Sequence, residues 1–390
     1  MRVGFNGLFL GRDATGSGQY ARHLLAALSQ QDDGATYRVF KPADPHGAEG
    51  SDNWSGPRVS VTHVATLSAG RWPNLDKLWF EQVSFPSACR GATVDLCHVP
   101  YFASPLRSRI PTVVTIHDLI PLLLPAYRGS LRVRLYMQLV SQAAKRADLI
   151  ITDSQCSRQD IIQHLAVDPD RVRVIYLAAD PACRLITDQA TLARVRQEYG
   201  LPEAYILYLG GFDRRKNLDG LLRAYARVSA AMPALPPLVV AGRLPAAHTT
   251  LFPDPKRLAR DLGIGEKVTF TGWIAEEDKP ALYSGALFFA FLSFYEGFGL
   301  MPLEAMACGT PVLASRAASL PEIVGPGGLL VDPGSVEEIA RAIAMLVRDR
   351  QQREQLASQA LQQAARFDWS RTASDTLQAY RSVFHERPAP

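Results

Sequence analysis

Along this chain short strand-like segments alternate with longer stretches that read as helix or irregular backbone. The clearest, at the start of 287–309, is continuously apolar with no polar alternation, as a strand buried on both faces of a parallel sheet is. A first set falls at 3–5, 37–40, 59–64, 95–99, 111–116, 149–152 and 172–176, with a helix over 18–28. A second set opens at 205–209 and continues at 238–241, 268–270, 286–292 and 312–314. Strands alternating with helix-length intervals imply parallel sheets covered by helices. Two such series imply two α/β domains, placed at 1–185 and 186–367 with the linker near 178–200. Ser335-x-x-Glu338 is a capping box that starts a further helix. A last helix, over 368–384, carries Trp369, Leu377 and Tyr380 in a tail segment 368–390.

The stretch 287–309, LFFAFLSFYEGFGLMPLEAMACG, begins as a strand and ends as a helix. At the junction lies Tyr295-Glu296-Gly297-Phe298-Gly299, whose glycines let the backbone turn sharply and approach a ligand. Pro302 suits a first helical position, so the neighbouring amides would point from a helix N-terminus into the turn and favour an anion. Glu296 and Glu304 bracket the turn with seven residues between them. Ligands of open α/β sheets bind at strand exits, so both carboxylates can reach a polyhydroxylated ligand whose phosphates sit on the helix end. The competing reading of Glu304 is an ordinary acid favoured by the helix dipole.

Other strand exits carry candidates too. Gly210-Gly211-Phe212-Asp213-Arg214-Arg215-Lys216-Asn217 puts three cations at a glycine-rich turn before a helix, which suits a diphosphate. Gly242-Arg243 and Gly272-Trp273-Ile274 end the next two strands, and Trp273 is either a flat surface for a base or a core residue. His117, in Thr115-Ile116-His117-Asp118, ends a strand of the first series, and His98 is a weaker candidate of the same sort. Gly16-Ser17-Gly18-Gln19-Tyr20-Ala21 fits G-x-G-x-x-A in what reads as a long polar loop, 6–17. Its glycines lie too far beyond the strand for a dinucleotide fingerprint, and Lys41 stands where a ribose-binding acid would be needed. Asp168-Pro169-Asp170 spells D-x-D but reads as a turn before a strand, so no metal site is expected.

Composition narrows the class. With 390 residues, 47% hydrophobic and 21% charged, the chain suits two ordinary globular domains and not disorder. A net charge of +4 is too small to argue for nucleic acid. The five cysteines, Cys89, Cys97, Cys156, Cys183 and Cys308, are scattered and form no C-x-x-C, which favours a reducing cytoplasm. Nothing at the start reads as a secretory leader, and no apolar run reaches a membrane span. The segment 127–147 carries Arg128, Arg132, Arg134, Lys145 and Arg146 among apolar residues, a pattern that suits either peripheral contact with the inner face of a membrane or a solvated helix face.

The E-x7-E stretch with its E-G-F-G-L core resembles the retaining glycosyltransferases of family 4, and the likeness runs along most of the chain. It implies the GT-B fold, two Rossmann-like domains facing across a cleft, with the C-terminal helix returning to the first. It implies an acceptor domain first and a nucleotide-sugar donor domain second. On that resemblance His117 contacts the donor sugar, and the loop of Gly16 and Gly18 lies near the donor phosphates and the acceptor. Lys216 matches the lysine of a G-R-x-x-x-x-K turn; Gly211 stands at the arginine position, and Arg215 is the substitute. Trp273 and Ile274 line the base, with Arg243 nearby. Glu304 holds the ribose, Glu296 the sugar, and the amides of Gly297, Phe298, Gly299 and Leu300 the sugar and distal phosphate.

The resemblance further implies transfer of a hexose from a nucleoside-diphosphate sugar, a substrate and not a cofactor, to a glycan, lipid-linked or small-molecule acceptor without a metal. The R-K-N turn, Trp79-Phe80-Glu81-Gln82 and His98-Val99-Pro100 are similar to mannosyltransferases of bacterial polysaccharide assembly and favour GDP-mannose. UDP-glucose or another UDP-sugar, a nucleotide-sugar epimerase, and an inactive nucleotide-sugar-binding protein remain the alternatives.

Overall fold

The computed structural model describes residues 1–12, 15–32, 34–43, 58–68 and 70–386. They form two compact units: Met1–Leu177 together with the stretch from Trp369, and Ala178–Asp368. The break at 177/178 precedes the 185/186 read from the sequence.

The first unit is built on a seven-stranded, wholly parallel sheet. Its strands are β1 (Arg2–Asn6), β2 (Thr36–Pro42), β3 (Val59–Val64), β4 (Leu96–Val99), β5 (Thr112–Thr115), β6 (Leu149–Thr152) and β7 (Val172–Val174). Their spatial order is β3-β2-β1-β4-β5-β6-β7. All four positions are buried in each of β4, β5 and β6, so these central strands, with His98 buried among them, carry no Asp, Glu, Lys or Arg and no polar face toward solvent.

The second unit has six parallel strands: β8 (Ile206–Leu209), β9 (Leu238–Ala241), β10 (Val268–Gly272), β11 (Phe288–Phe291), β12 (Val312–Ser315) and β13 (Gly328–Val331). They are ordered β10-β9-β8-β11-β12-β13. The sequence reading missed β13. It is an edge strand that begins on glycine and is fully buried only at Val331, so its apolar signal is short. Strand order reverses between β1 and β4 in one sheet and between β8 and β11 in the other. Those reversals mark where ligands bind in open parallel sheets.

Three local expectations are corrected. The segment 6–17 is not a polar loop throughout, since Leu8 and Leu10 are buried. Gly16 and Gly18 belong to the helix Gly16–Gln30, whose N-cap Thr15 accepts from the Gly18 amide. Pro302 is the third residue of the helix Leu300–Ala307 and not the first, and Gly299 is its N-cap. A proline is tolerated there because the first four amides of a helix have no intrahelical acceptor.

The C-terminal helix Trp369–Glu386 belongs to the first unit. Trp369 stacks on His23 with ring centroids 5.2 Å apart, and the Thr372 hydroxyl donates to the Tyr176 carbonyl at 2.7 Å. Where one helix was read over 127–147, the chain forms a short turn, Pro125–Tyr127, and then the helix Leu131–Ala144. Gly129 separates them with φ of +62°, the left-handed region that glycine enters without steric cost. Among the described residues no helix is long and apolar enough to cross a membrane.

Candidate functional site

In the second unit the two reversal-point strands, β8 and β11, deliver the charged turn and the glutamate turn side by side. After β8 the chain makes the turn Arg214–Lys216, then Asn217 adopts φ of +55° and caps the helix Leu218–Ala231 by accepting from the Gly220 amide at 3.2 Å. Asn tolerates this backbone because its short amide satisfies local donors. The consequence is that Lys216 and Arg215 both meet Glu296.

The Lys216 ammonium donates to Glu296 Oε1 at 2.8 Å, and an Arg215 guanidinium nitrogen lies 2.7 Å from the same oxygen. Arg215 also donates to the Tyr295 carbonyl at 2.7 Å and sits 3.6 Å from Asp213. Arg215 is therefore fastened to the glutamate turn. Lys216 has spare donor capacity, since an ammonium carries three N–H groups, and it rests 4.9 Å from the Phe291 ring centroid at the end of β11. Burial alone would raise the Glu296 pKa, but Lys216 and Arg215 outweigh it and hold the carboxyl below the ordinary glutamate value. The carboxylate is thus ionised between two cations.

The Gly297-to-Leu300 turn is secured from beneath by Ser319, whose hydroxyl lies 2.9 Å from the Glu296 carbonyl and 2.5 Å from that of Phe298. Gly299 has φ of +123°, a backbone conformation that favours glycine, and a Cβ there would press on a Leu320 methyl at 2.9 Å. Phe298 is buried, edge-on to Phe367. Beyond the turn the helix begins at Leu300, and its first amides have no intrahelical acceptors.

Glu304 differs from the first-turn acid that the dipole would favour. It falls in the second turn, is buried, and accepts from the Tyr283 hydroxyl at 3.1 Å. Burial pushes its pKa up to about 7, with Lys279 opposing and Glu276 and Asp180 assisting. Trp273 is not a core residue. It is 49% exposed, with the Arg243 guanidinium carbon 5.4 Å from its ring centroid, whereas Ile274 beside it is buried. Gly211 follows β8, and its carbonyl accepts from the Tyr208 hydroxyl.

In the first unit His117, just past β5, pairs through Nδ1 with Asp153 Oδ2 at 2.6 Å, and Asp153 stands just past β6. Burial disfavours the charged ring, but Asp153 outweighs it and the His117 pKa lies above its ordinary value. The Tyr20 ring meets His117 edge-on at 4.8 Å. His98 is a structural residue. It is fully buried, with Nε2 2.9 Å from Thr115 Oγ1 and Nδ1 2.6 Å from the Tyr380 hydroxyl, and burial pushes its pKa down to about 3. Gly18 has a packing reason of its own, since a Cβ there would lie 2.2 Å from the Arg12 carbonyl oxygen, while Gly16 faces open space. Asp168-Pro169-Asp170 is a capped turn in which Asp168 accepts from the Asp170 amide.

Asp153, Ser319 and Tyr283 escaped the sequence reading. Asp153 had a usable signal, because it leaves β6 in the way that His117 leaves β5. Ser319 and Tyr283 had none, since each acts on residues more than 20 positions away in the chain.

Known proteins match both units. The family described as "Glycosyltransferase Family 4" matches residues 14–182, and "Glycosyl transferases group 1" matches 193–363. The O-antigen chain mannosyltransferase B of Escherichia coli is 35% identical over 73% of this chain and 73% of its own length. The serotype-specific mannosyltransferase WbdA of Escherichia coli is 34% identical over 69% of this chain, a match that spans about a third (33%) of that longer protein. Among solved structures, sucrose-phosphate synthase from Thermosynechococcus elongatus superposes with a TM-score of 0.78 at 23% identity, covering 99% of this chain and 100% of that one. With two parallel-sheet units of the GT-B type and these relatives along its length, the chain belongs to the family 4 glycosyltransferases, enzymes that transfer a sugar.

Proposed function

We propose that this enzyme moves mannose from GDP-mannose to an acceptor hydroxyl, with retention at the anomeric carbon and without a metal ion. The observation that carries the reading is the Arg215–Glu296–Lys216 cluster at the β8/β11 reversal, beside a helix N-terminus. Fixed charges of this sort can stabilise a leaving diphosphate without reorganising during the reaction. Mannose is favoured because the two named Escherichia coli relatives are mannosyltransferases.

In this reading the acceptor oxygen bonds to the anomeric carbon as the bond from that carbon to the diphosphate oxygen breaks. Its electrons leave with GDP, and the acceptor proton passes to a phosphate oxygen. Lys216 and the amides of Phe298 to Leu300 take up the growing negative charge. Arg215 holds the glutamate turn, Glu296 receives sugar hydroxyls, Glu304 receives the ribose, and Trp273 with Arg243 flanks the base. His117 is oriented by Asp153 in the first unit. The acceptor is a glycan or lipid-linked saccharide of cell-surface polysaccharide assembly, and the enzyme works in the cytoplasm, peripherally at the membrane through 127–147.

The test is a panel of GDP- and UDP-sugars, scored first for binding and then for transfer to mannosylated acceptors with excess EDTA present. GDP-mannose should bind and be consumed. Preference for a UDP-sugar, an epimerised sugar without transfer, or loss of transfer restored by manganese would each overturn the corresponding part.

A further inference from the structure

The segment leaving β10 carries Trp273 and Ile274 from the edge of its sheet. β10 pairs with β9 alone, and its register shifts between Phe270 and Gly272. Gly272 then turns with φ of +76°, and its carbonyl accepts from the Gly242 amide, just past β9, at 2.8 Å. A second hold comes from outside the sheet. The Tyr199 hydroxyl, at the end of the helix Gln189–Tyr199, accepts from the Ala275 amide at 3.2 Å. The Ala275 carbonyl in turn accepts from the Asp278 amide at 3.1 Å, closing the turn Glu276–Asp278. Trp273 and Ile274 are thus strung between two pinned points, one at the exit of β9 and one on a helix.

Asp278 fixes the direction of the Tyr199 bond. Its carboxylate is buried, with Arg194 at 2.5 Å and the Tyr199 hydroxyl at 2.8 Å. Bonding to Arg194 outweighs burial and, with Tyr199, holds the Asp278 carboxyl below the ordinary aspartate value, while burial raises the tyrosine's pKa. An ionised carboxylate only accepts, so the single phenol proton goes to Asp278 and a lone pair is left facing the Ala275 N–H. The hydroxyl therefore works in one orientation, and it ties a surface segment to a buried charge. Discrimination between planar bases depends on polar groups held to a fraction of an ångström, so the anchor of such a segment bears on what it selects.

We propose that Tyr199 is a positioning residue for the donor's base: its hydroxyl, oriented by Asp278, fixes 273–275 and thereby sets which nucleobase the enzyme prefers. The proposal rests on the reading that Trp273 and Ile274 line the base. Tyr199→Phe keeps the ring and removes both bonds. It should weaken GDP about fivefold in calorimetric titration, the scale of one hydrogen bond, and narrow the preference for GDP over UDP. Pyrophosphate, which carries no base, should inhibit variant and wild type equally, which also shows that the variant is folded. KM for GDP-mannose should rise with kcat nearly unchanged, as for binding lost equally in ground and transition states.

Tyr225→Phe is the control. Its hydroxyl donates to the Pro236 carbonyl at 2.9 Å and lies 3.3 Å from that of Lys267, at the entries to β9 and β10, so the same group is lost at the opposite end of the same strands. Base preference should not move. An unchanged GDP-to-UDP ratio in Tyr199→Phe would overturn the proposal, as would an equal shift in Tyr225→Phe or an equal loss of pyrophosphate inhibition, since each means general loosening. A wild type that prefers UDP, with that preference narrowed in Tyr199→Phe, would correct the donor and support the proposal. Wild-type protein that binds GDP no better than pyrophosphate would refute both the base reading and the role of Tyr199.

Discussion

At the scale of single residues, the cluster around Glu296 divides labour between two cations that look interchangeable in the sequence. Arg215 is committed to the Tyr295 carbonyl and Glu296, whereas Lys216 keeps N–H groups for a ligand. Lys216→Ala should therefore lower kcat by about a hundredfold or more with GDP-mannose, the scale of losing one preorganised charge from a leaving group. Steady-state kinetics checks it, and a wild-type rate would remove Lys216 from the reaction. The two glutamates should separate by ligand. Glu304→Ala ought to weaken free GDP and GDP-mannose by similar factors, while Glu296→Ala should leave GDP nearly unchanged and lower donor affinity or turnover. Calorimetry with GDP beside transfer rates decides this; an equal loss of GDP affinity in both would refute the assigned geometry. Residue types and strand-exit positions were legible in the sequence. What Glu296 touches was not, because its partners arrive from a strand 80 positions away in the chain.

At the scale of elements, buried continuous strands announced themselves, and capped or irregular pieces did not. Every described strand but β13 was read, and β8, β9 and β11 showed as unbroken apolar runs, since both faces of the sheet are covered there. Helix starts were read less well: Pro302 proved to be a third residue, and the glycines at 16 and 18 proved helical. The helix Leu300–Ala307 also carries a pH dependence that its sequence hides. Glu304 titrates near 7 in the fold and near 4.3 in an unfolded chain, so between those values the folded state binds the extra proton. Stability should then fall as pH rises from about 4.5 to 7 and level off above. Glu304→Gln should remove up to about 3 kcal/mol of that fall. Urea unfolding of both proteins at a series of pH values measures the difference, and parallel curves would show that Glu304 is ionised throughout.

At the scale of the whole molecule, the chain returns at its C-terminus to the unit in which it began, and one buried polar chain fixes that return. The Tyr380 hydroxyl meets His98 Nδ1, His98 Nε2 meets the Thr115 hydroxyl, and that hydroxyl meets Tyr20 at 3.0 Å, joining the C-terminal helix, β4, β5 and the helix Gly16–Gln30. The pattern of the last helix showed in the sequence, but its partner did not, since 282 positions separate His98 from Tyr380. Low pKa keeps His98 neutral, so each ring nitrogen has one role, and a buried nitrogen left without a partner costs about 1–3 kcal/mol. Tyr380→Phe removes that partner and little volume. It should destabilise the first unit by that amount and speed hydrogen exchange in β4, β5 and the C-terminal helix, with β8 and β11 unchanged. Exchange followed by mass spectrometry reads each element separately. Faster exchange spread evenly over both units would mean that they unfold together, and an unchanged β4 would mean that the hydroxyl does not hold the helix in place.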